Sequence, residues 1–205
     1  MVQPSTIAQG ELLASADQRV FMRNVPWSHY EVMLALRGEA AVPRMTYLEG
    51  VLELMSPSRG HETTKETVGR LLEAYADEVR IDLWSHGSWT LKNALKERGA
   101  EPDKCYGVGR ASPEAGVPDL AIEVAWTRGG IDKLEVYRGL GVHEVWFWED
   151  GAILVFLLQD GRYERAPRSA AFPELDLGLV GRLATHENPS QAVRELRASA
   201  RERRA

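Results

Sequence analysis

The segment from His143 to Ala166 constrains the fold of this chain more than any other. HEVWFW and ILVFLLQ are two short runs of β-branched, aromatic and aliphatic residues, separated by Asp150-Gly151. Asp-Gly accepts positive φ at both positions, the backbone that a two-residue hairpin turn requires. A second Asp-Gly at 160 leads into RYERA, so three antiparallel strands in succession are expected. Trp146 and Trp148, which alternate with Val145 and Phe147, read as core rather than as a platform for stacking bases.

Elements upstream supply what such strands pack against. Val68, Leu71, Leu72, Tyr75 and Val79 form one apolar stripe at helical spacing, so a helix is expected from about His61 to Val79, with SPSRG as its break and cap. A shorter helix over Trp27 to Leu36 is expected to start at a capping box made by Ser28 and Glu31. Met45, Tyr47 and Val51 to Met55 read as a hairpin around Glu49-Gly50. Strands are expected over Asp82 to Leu91, Asp103 to Tyr106 and Asp119 to Trp126, with a loop at GVGRASPEAGV and a helix over Ile131 to Leu140. The order implies an α/β fold in which a mixed central β-sheet is flanked by helices. Three parts are expected: an N-terminal arm over 1–25, one domain over 26–185, and an Arg-rich helix or tail over 186–205.

Charge and cysteine content narrow the function. Lys and Arg total 25 against 30 Asp and Glu, which argues against a surface that binds nucleic acid everywhere but leaves room for a local basic groove. The single cysteine, Cys105, excludes an internal disulfide and reads as a small buried hydrophobe. No apolar run approaches the roughly 20 residues of a membrane span, and the N-terminus lacks the pattern of a signal peptide, so a cytoplasmic protein is expected. HETTK at 61 has Lys65 where the H-E-x-x-H zinc signature needs histidine. No G-x-S-x-G elbow is present, and GVGRAS at 107 lacks the third glycine of a dinucleotide fingerprint.

The informative acids lie in Asp119-Leu-Ala-Ile-Glu-Val-Ala-Trp126. On a strand, Leu120, Ile122, Val124 and Trp126 share a core face, while Asp119, Ala121, Glu123 and Ala125 share the other. Two acids among alanines leave space for something else. They stand roughly 13 Å apart at about 3.3 Å per residue, too far to hold one ion together. Glu123 therefore needs a partner from a neighbouring strand, and Asp103 is the candidate. A hard cation such as Mg²⁺ is satisfied by one or two such carboxylates with waters and phosphate oxygens.

Pro102-Asp103, then 19 residues, then Glu123-Val124-Ala125 resembles the core of the PD-(D/E)XK nuclease superfamily without its final lysine. YLEGVLELMSP, EPDKCY, PDLAIEV and KLEVYRGLGVHEVWFW, in that order, resemble one bacterial family of restriction-endonuclease-like proteins, over about residues 28 to 165. The resemblance implies a restriction-endonuclease-like domain with a metal-dependent phosphodiesterase site, in which Asp103 and Glu123 match the metal-binding acids. Ala125 stands where the superfamily usually has its catalytic lysine, and Lys133 matches the position to which the lysine has moved in this family. Glu53 matches an accessory acid, His61 lies near it, and Asp119 belongs to the PDL segment as a ligand of second rank.

The expectation is then a Mg²⁺-dependent endonuclease, with Mn²⁺ as a substitute, acting on DNA as a homodimer. Arg59, Arg70, Lys96, Arg98, Arg110, Arg128 and the Arg-rich tail are the available phosphate contacts. The rival is a degenerate nuclease fold serving as a binding or assembly module, a reading that Ala125 and the acidic balance favour.

Overall fold

A computed structural model describes residues 16–87, 89–109, 116–125 and 130–203. Its hairpins turn on Glu49-Gly50, Asp150-Gly151 and Asp160-Gly161, and both residues of each pair have positive φ. Strand pairing is thereby fixed by the turn chemistry read from the sequence.

Two sheets result. The first is antiparallel and holds β1 (Gln18–Met22), β2 (Arg44–Leu48), β3 (Val51–Ser56), β5 (Leu91–Asn93) and β6 (Arg98–Ala100) in the order β1-β3-β2-β6-β5. The second is the expected mixed sheet, with β4 (Leu83–Ser85), β7 (Lys104–Val108), β8 (Leu120–Val124), β9 (Glu144–Glu149), β10 (Ala152–Gln159) and β11 (Arg162–Ala166) in the order β11-β10-β9-β8-β7-β4. Among the described strands only β8 and β9 run parallel, and the helix between them, α3 (Lys133–Leu140), is the crossover that parallel pairing needs. The remaining helices are α1 (Trp27–Arg37), α2 (Arg59–Val79), α4 (Leu177–Leu183) and α5 (Pro189–Glu202).

The mixed sheet is covered on both faces. Leu120, Ile122, Val124, Trp146 and Trp148 pack on Val68, Leu71, Leu72 and Tyr75 of α2 and on α4 and α5. Ala121 and Val145 face the other way, onto Val136, Tyr137 and Leu140 of α3. The same α3 residues touch Leu91 and Ala100, so this helix is wedged between the two sheets. Around α1, Tyr30 stacks on Tyr47 with centroids 5.0 Å apart, and Trp27 meets both rings edge-on.

Several expectations change. Gln18–Met22 within the expected arm pairs with β3. Pro26 occupies the N-cap of α1 with no side-chain cap bond, so Ser28 lies inside the helix. The stretch from Asp82 to Leu91 is two short strands in different sheets, because the chain passes from one sheet to the other there. The C-terminal helix docks Ala192, Leu196 and Ala200 against the core rather than standing free in solvent. Among the described residues, no helix is long and apolar enough to cross a membrane.

Cys105 lies on β7, fully buried opposite Ala121. Burial, helped by the charge of Glu123, pushes its thiol up to about 12. At about pH 8 the folded protein should therefore resist iodoacetamide and react only on unfolding, because the thiolate is the nucleophile. Rapid alkylation of the native protein, followed by mass spectrometry, would contradict this.

Candidate active site

Asp103 stands in the three-residue connection between β6 of the first sheet and β7 of the second, so both sheets fix its position. The β7–β8 register pairs Lys104 with Ile122, and one step further Asp103 comes opposite Glu123. That is the cross-strand partnership the distance argument required. The Asp103 carboxylate is fully buried and well occupied. Its Oδ2 accepts from the Val124 amide at 2.7 Å, and its Oδ1 meets His61 Nε2 at 2.9 Å and the Arg44 guanidinium. Arg44 also donates to Glu62 at 2.7 Å.

Glu123 is also buried, on the α3 side of β8. Its Oε1 accepts from Lys133 Nζ at 3.0 Å and from the Tyr137 hydroxyl, while Oε2 accepts nothing among the described residues. Lys133 and Tyr137 are four residues apart and thus share one face of α3. Asp132 caps this helix by accepting from the Leu134 and Glu135 amides, which sets the phase that aims both side chains at Glu123. Burial, and then the charge of Glu123, hold the Tyr137 hydroxyl well above the ordinary tyrosine range, so it keeps the proton it donates to Glu123.

Glu53 projects from β3, 2% exposed, and its Oε2 accepts from the Ile131 amide at 3.0 Å. Gly130 makes that approach possible: its φ is +127°, and a Cβ there would lie 2.8 Å from the carboxylate. Arg19 of β1 lies 3.8 Å from the other Glu53 oxygen.

His61 sits in the first turn of α2, which Ser58 caps. The ring is 1% exposed and lies between two carboxylates, with Nδ1 3.1 Å from Asp17 and Nε2 2.9 Å from Asp103. Each ring nitrogen thus faces a carboxylate oxygen that can accept a ring N–H. Burial pushes the Asp17 carboxyl up, but the bonds from His61 and the Ser58 amide outweigh it and hold the group below the usual value.

Glu53, His61, Glu123 and Lys133 line one cavity of about 340 Å³, together with Arg19. Asp103 stands behind it, bonded to His61. Asp119 does not join them: at the start of β8, its Oδ2 accepts from the Val108 amide at 2.9 Å. Sequence reasoning missed Tyr137, Arg44, Arg19 and Asp17. Only Tyr137 left a signal, its four-residue spacing from Lys133.

The donor set is of oxygen type, which suits a hard cation. No three His, Cys, Asp or Glu side chains stand close enough together to share an ion among the described residues. Glu123, with one oxygen open, and Asp103 opposite it are the side chains that could hold one. Two carboxylates completed by waters and substrate oxygens are enough for Mg²⁺.

The expected phosphate contacts fare unevenly. Arg59 and Lys96 are exposed, as is Arg70, which donates to Ser190, whereas Arg110 and Arg128 lie outside the described residues. Arg98 is corrected: it is buried against Gly139 and donates to Glu49 and to two backbone carbonyls. In the C-terminal helix, Arg197 pairs with Asp77, Arg201 with Glu78 and Arg203 with Asp176. These are surface pairs, and the helix is held by its apolar face rather than by them.

A family model described as "Uma2: Putative restriction endonuclease" matches residues 27–184, more than half of the chain. No curated protein matches the chain.

Proposed function

The chain belongs to the Uma2 family of restriction-endonuclease-like proteins, and from that premise we propose that it is a metal-dependent endonuclease hydrolysing DNA phosphodiester bonds. The carrying observation is the convergence of Glu53, His61, Glu123 and Lys133 on one cavity, with Asp103 opposite Glu123. Charge supports metal dependence. Among the described residues, the cavity lining has four carboxylates, Glu53, Glu123, Asp132 and Glu149, against the cations of Arg19 and Lys133. A phosphodiester would be repelled from such a site unless a bound cation reversed its local sign.

Asp103 and Glu123 would hold the Mg²⁺ or Mn²⁺ ion, whose chemistry is to polarise a phosphate oxygen and lower the pKa of a bound water. The protein's own part is positional. Tyr137 and Lys133 fix one Glu123 oxygen and leave the other open, while the Val124 amide and His61 fix Asp103. Lys133 lines the cavity and would orient the attacking water and offset charge as the phosphorus gains a fifth oxygen. Action in the cytoplasm as a homodimer belongs to the same proposal, since two strands are most simply cut by two sites related by symmetry.

A second reading, a degenerate fold acting as a binding module, is favoured by one contact: Arg44 occupies the Asp103 oxygen that also faces His61. A guanidinium there competes with a metal for the same lone pairs. Incubation of the full chain with supercoiled plasmid separates the readings. Cutting that requires Mg²⁺ or Mn²⁺ and stops with EDTA is expected. No cutting, with no heat of Mn²⁺ binding by calorimetry, would favour the module.

A further inference from the structure

The segment matched by the family begins at residue 27, yet a carboxylate ten residues earlier reaches the site. Asp17 precedes β1, and β1 is held in place by antiparallel pairing that puts Gln18 opposite Ser56. One residue further out on each strand the chain turns, and Asp17 meets the start of α2. Its Oδ1 accepts from the Ser58 amide at 2.8 Å, and its Oδ2 lies 3.1 Å from His61 Nδ1. The Asp17 side chain is fully buried, and the ring between it and Asp103 is nearly so.

We propose that Asp17 is a positioning residue of this site, so that the strand preceding the family-matched segment is part of the catalytic unit. The inference rests on the nuclease reading above. An imidazole bonded through one nitrogen alone can swing about its Cβ–Cγ bond. Bonded at Nδ1 as well, it is held with Nε2 aimed at Asp103 Oδ1. The Val124 amide holds the other Asp103 oxygen, so His61 completes the clamp on that carboxylate. Asp17 is not among the cavity-lining residues; its Oδ2 also lies 3.7 Å from Arg19, and it acts on Asp103 through the ring. Its bond to Ser58, the cap of α2, fixes the helix turn that carries the ring.

The test uses the full chain with Asp17→Asn and Asp17→Ala. Asparagine keeps the shape, and with its carbonyl oxygen on the Ser58 amide it turns an NH₂ group toward His61 Nδ1, which then accepts and carries no proton. The first readout is ¹⁵N-edited spectroscopy of the histidine ring in metal-free protein. The native chain should show an exchange-protected Nδ1 proton on His61, and both variants should lose it. The second is plasmid cleavage with Mn²⁺, where kcat should fall about 10- to 100-fold with KM little changed, the usual range for a residue that orients others around a metal. A protected ring proton and an unchanged kcat in Asp17→Asn would overturn the proposal. If Asp17→Ala fails to fold, Asp17→Asn carries both readouts. If the native chain cuts nothing, the nuclease reading fails on its own, and the ring proton alone decides: lost in Asp17→Asn supports the clamp, retained overturns it.

Discussion

Glu123→Gln is expected to reduce metal-dependent cleavage by roughly 10³-fold or more while leaving the fold intact. The expectation follows from how the two Glu123 oxygens are used. One accepts from Lys133 and Tyr137, and glutamine can present its carbonyl oxygen to the same donors. The other accepts nothing among the described residues, and there glutamine places an NH₂ group with no lone pair for a hard cation. Packing is preserved because the two side chains have the same shape, on a strand held by neighbours on both sides. The measurement is cleavage of supercoiled plasmid at saturating Mg²⁺ and Mn²⁺, with thermal unfolding of the same preparation. A variant that cuts like the native chain would remove Glu123 from the chemistry. One that no longer unfolds cooperatively would show that its bonds to α3 hold the structure as well.

How much of this was legible in the sequence depended on the range over which each signal acts. The strands from β7 to β11 and the three hairpins could be read because alternation and Asp-Gly turns are local. The long stripe of α2 was read for the same reason. β1 could not be: QRVFM is an edge strand with four of its five residues exposed, so it carries no buried face and no alternation. The single stretch expected over Asp82 to Leu91 failed because nothing local marks a passage between sheets.

The candidate site divides in the same way. Asp103 and Glu123 could be paired from strand rise and a neighbouring acid, with the resemblance supplying Lys133, Glu53 and His61. Asp119 looked equivalent to Glu123 in the alternating pattern, but the structure spends one of its oxygens on the amide of Val108. Arg44 and Asp17 reach the site across 59 and 44 residues of chain, respectively. Contacts at such separations follow from the fold and have no local trace. Arg98 misled for the converse reason, since a charged residue in sequence gives no sign that it will be buried against a glycine.

Lys133→Met is the variant that separates a working lysine from a surface one. Lys133 is the first residue of α3, and a cation at a helix N-terminus opposes the macrodipole, at a cost of about 0.3–1 kcal/mol for an exposed group. Helix stability alone therefore gives no reason for a lysine there, but its removal leaves the buried Glu123 carboxylate without its counter-charge, so the melting temperature should fall while unfolding stays cooperative. Methionine keeps most of the aliphatic stem, so packing against Glu123 and the cavity wall is little disturbed. The ammonium 3.0 Å from Glu123 is lost, and with it the only lysine charge on the cavity lining among the described residues. Cleavage is expected to fall by about 10²- to 10⁴-fold, the range for removing a group that assists proton transfer or offsets charge in a transition state. Because Lys133 sits beside Glu123 Oε1, Mn²⁺ affinity measured by calorimetry should hold or rise as the competing cation disappears. A fall in rate without a fall in metal affinity would identify a lysine that acts on the reaction itself. A native rate in the stable variant would leave charge stabilisation to Arg19 and the metal.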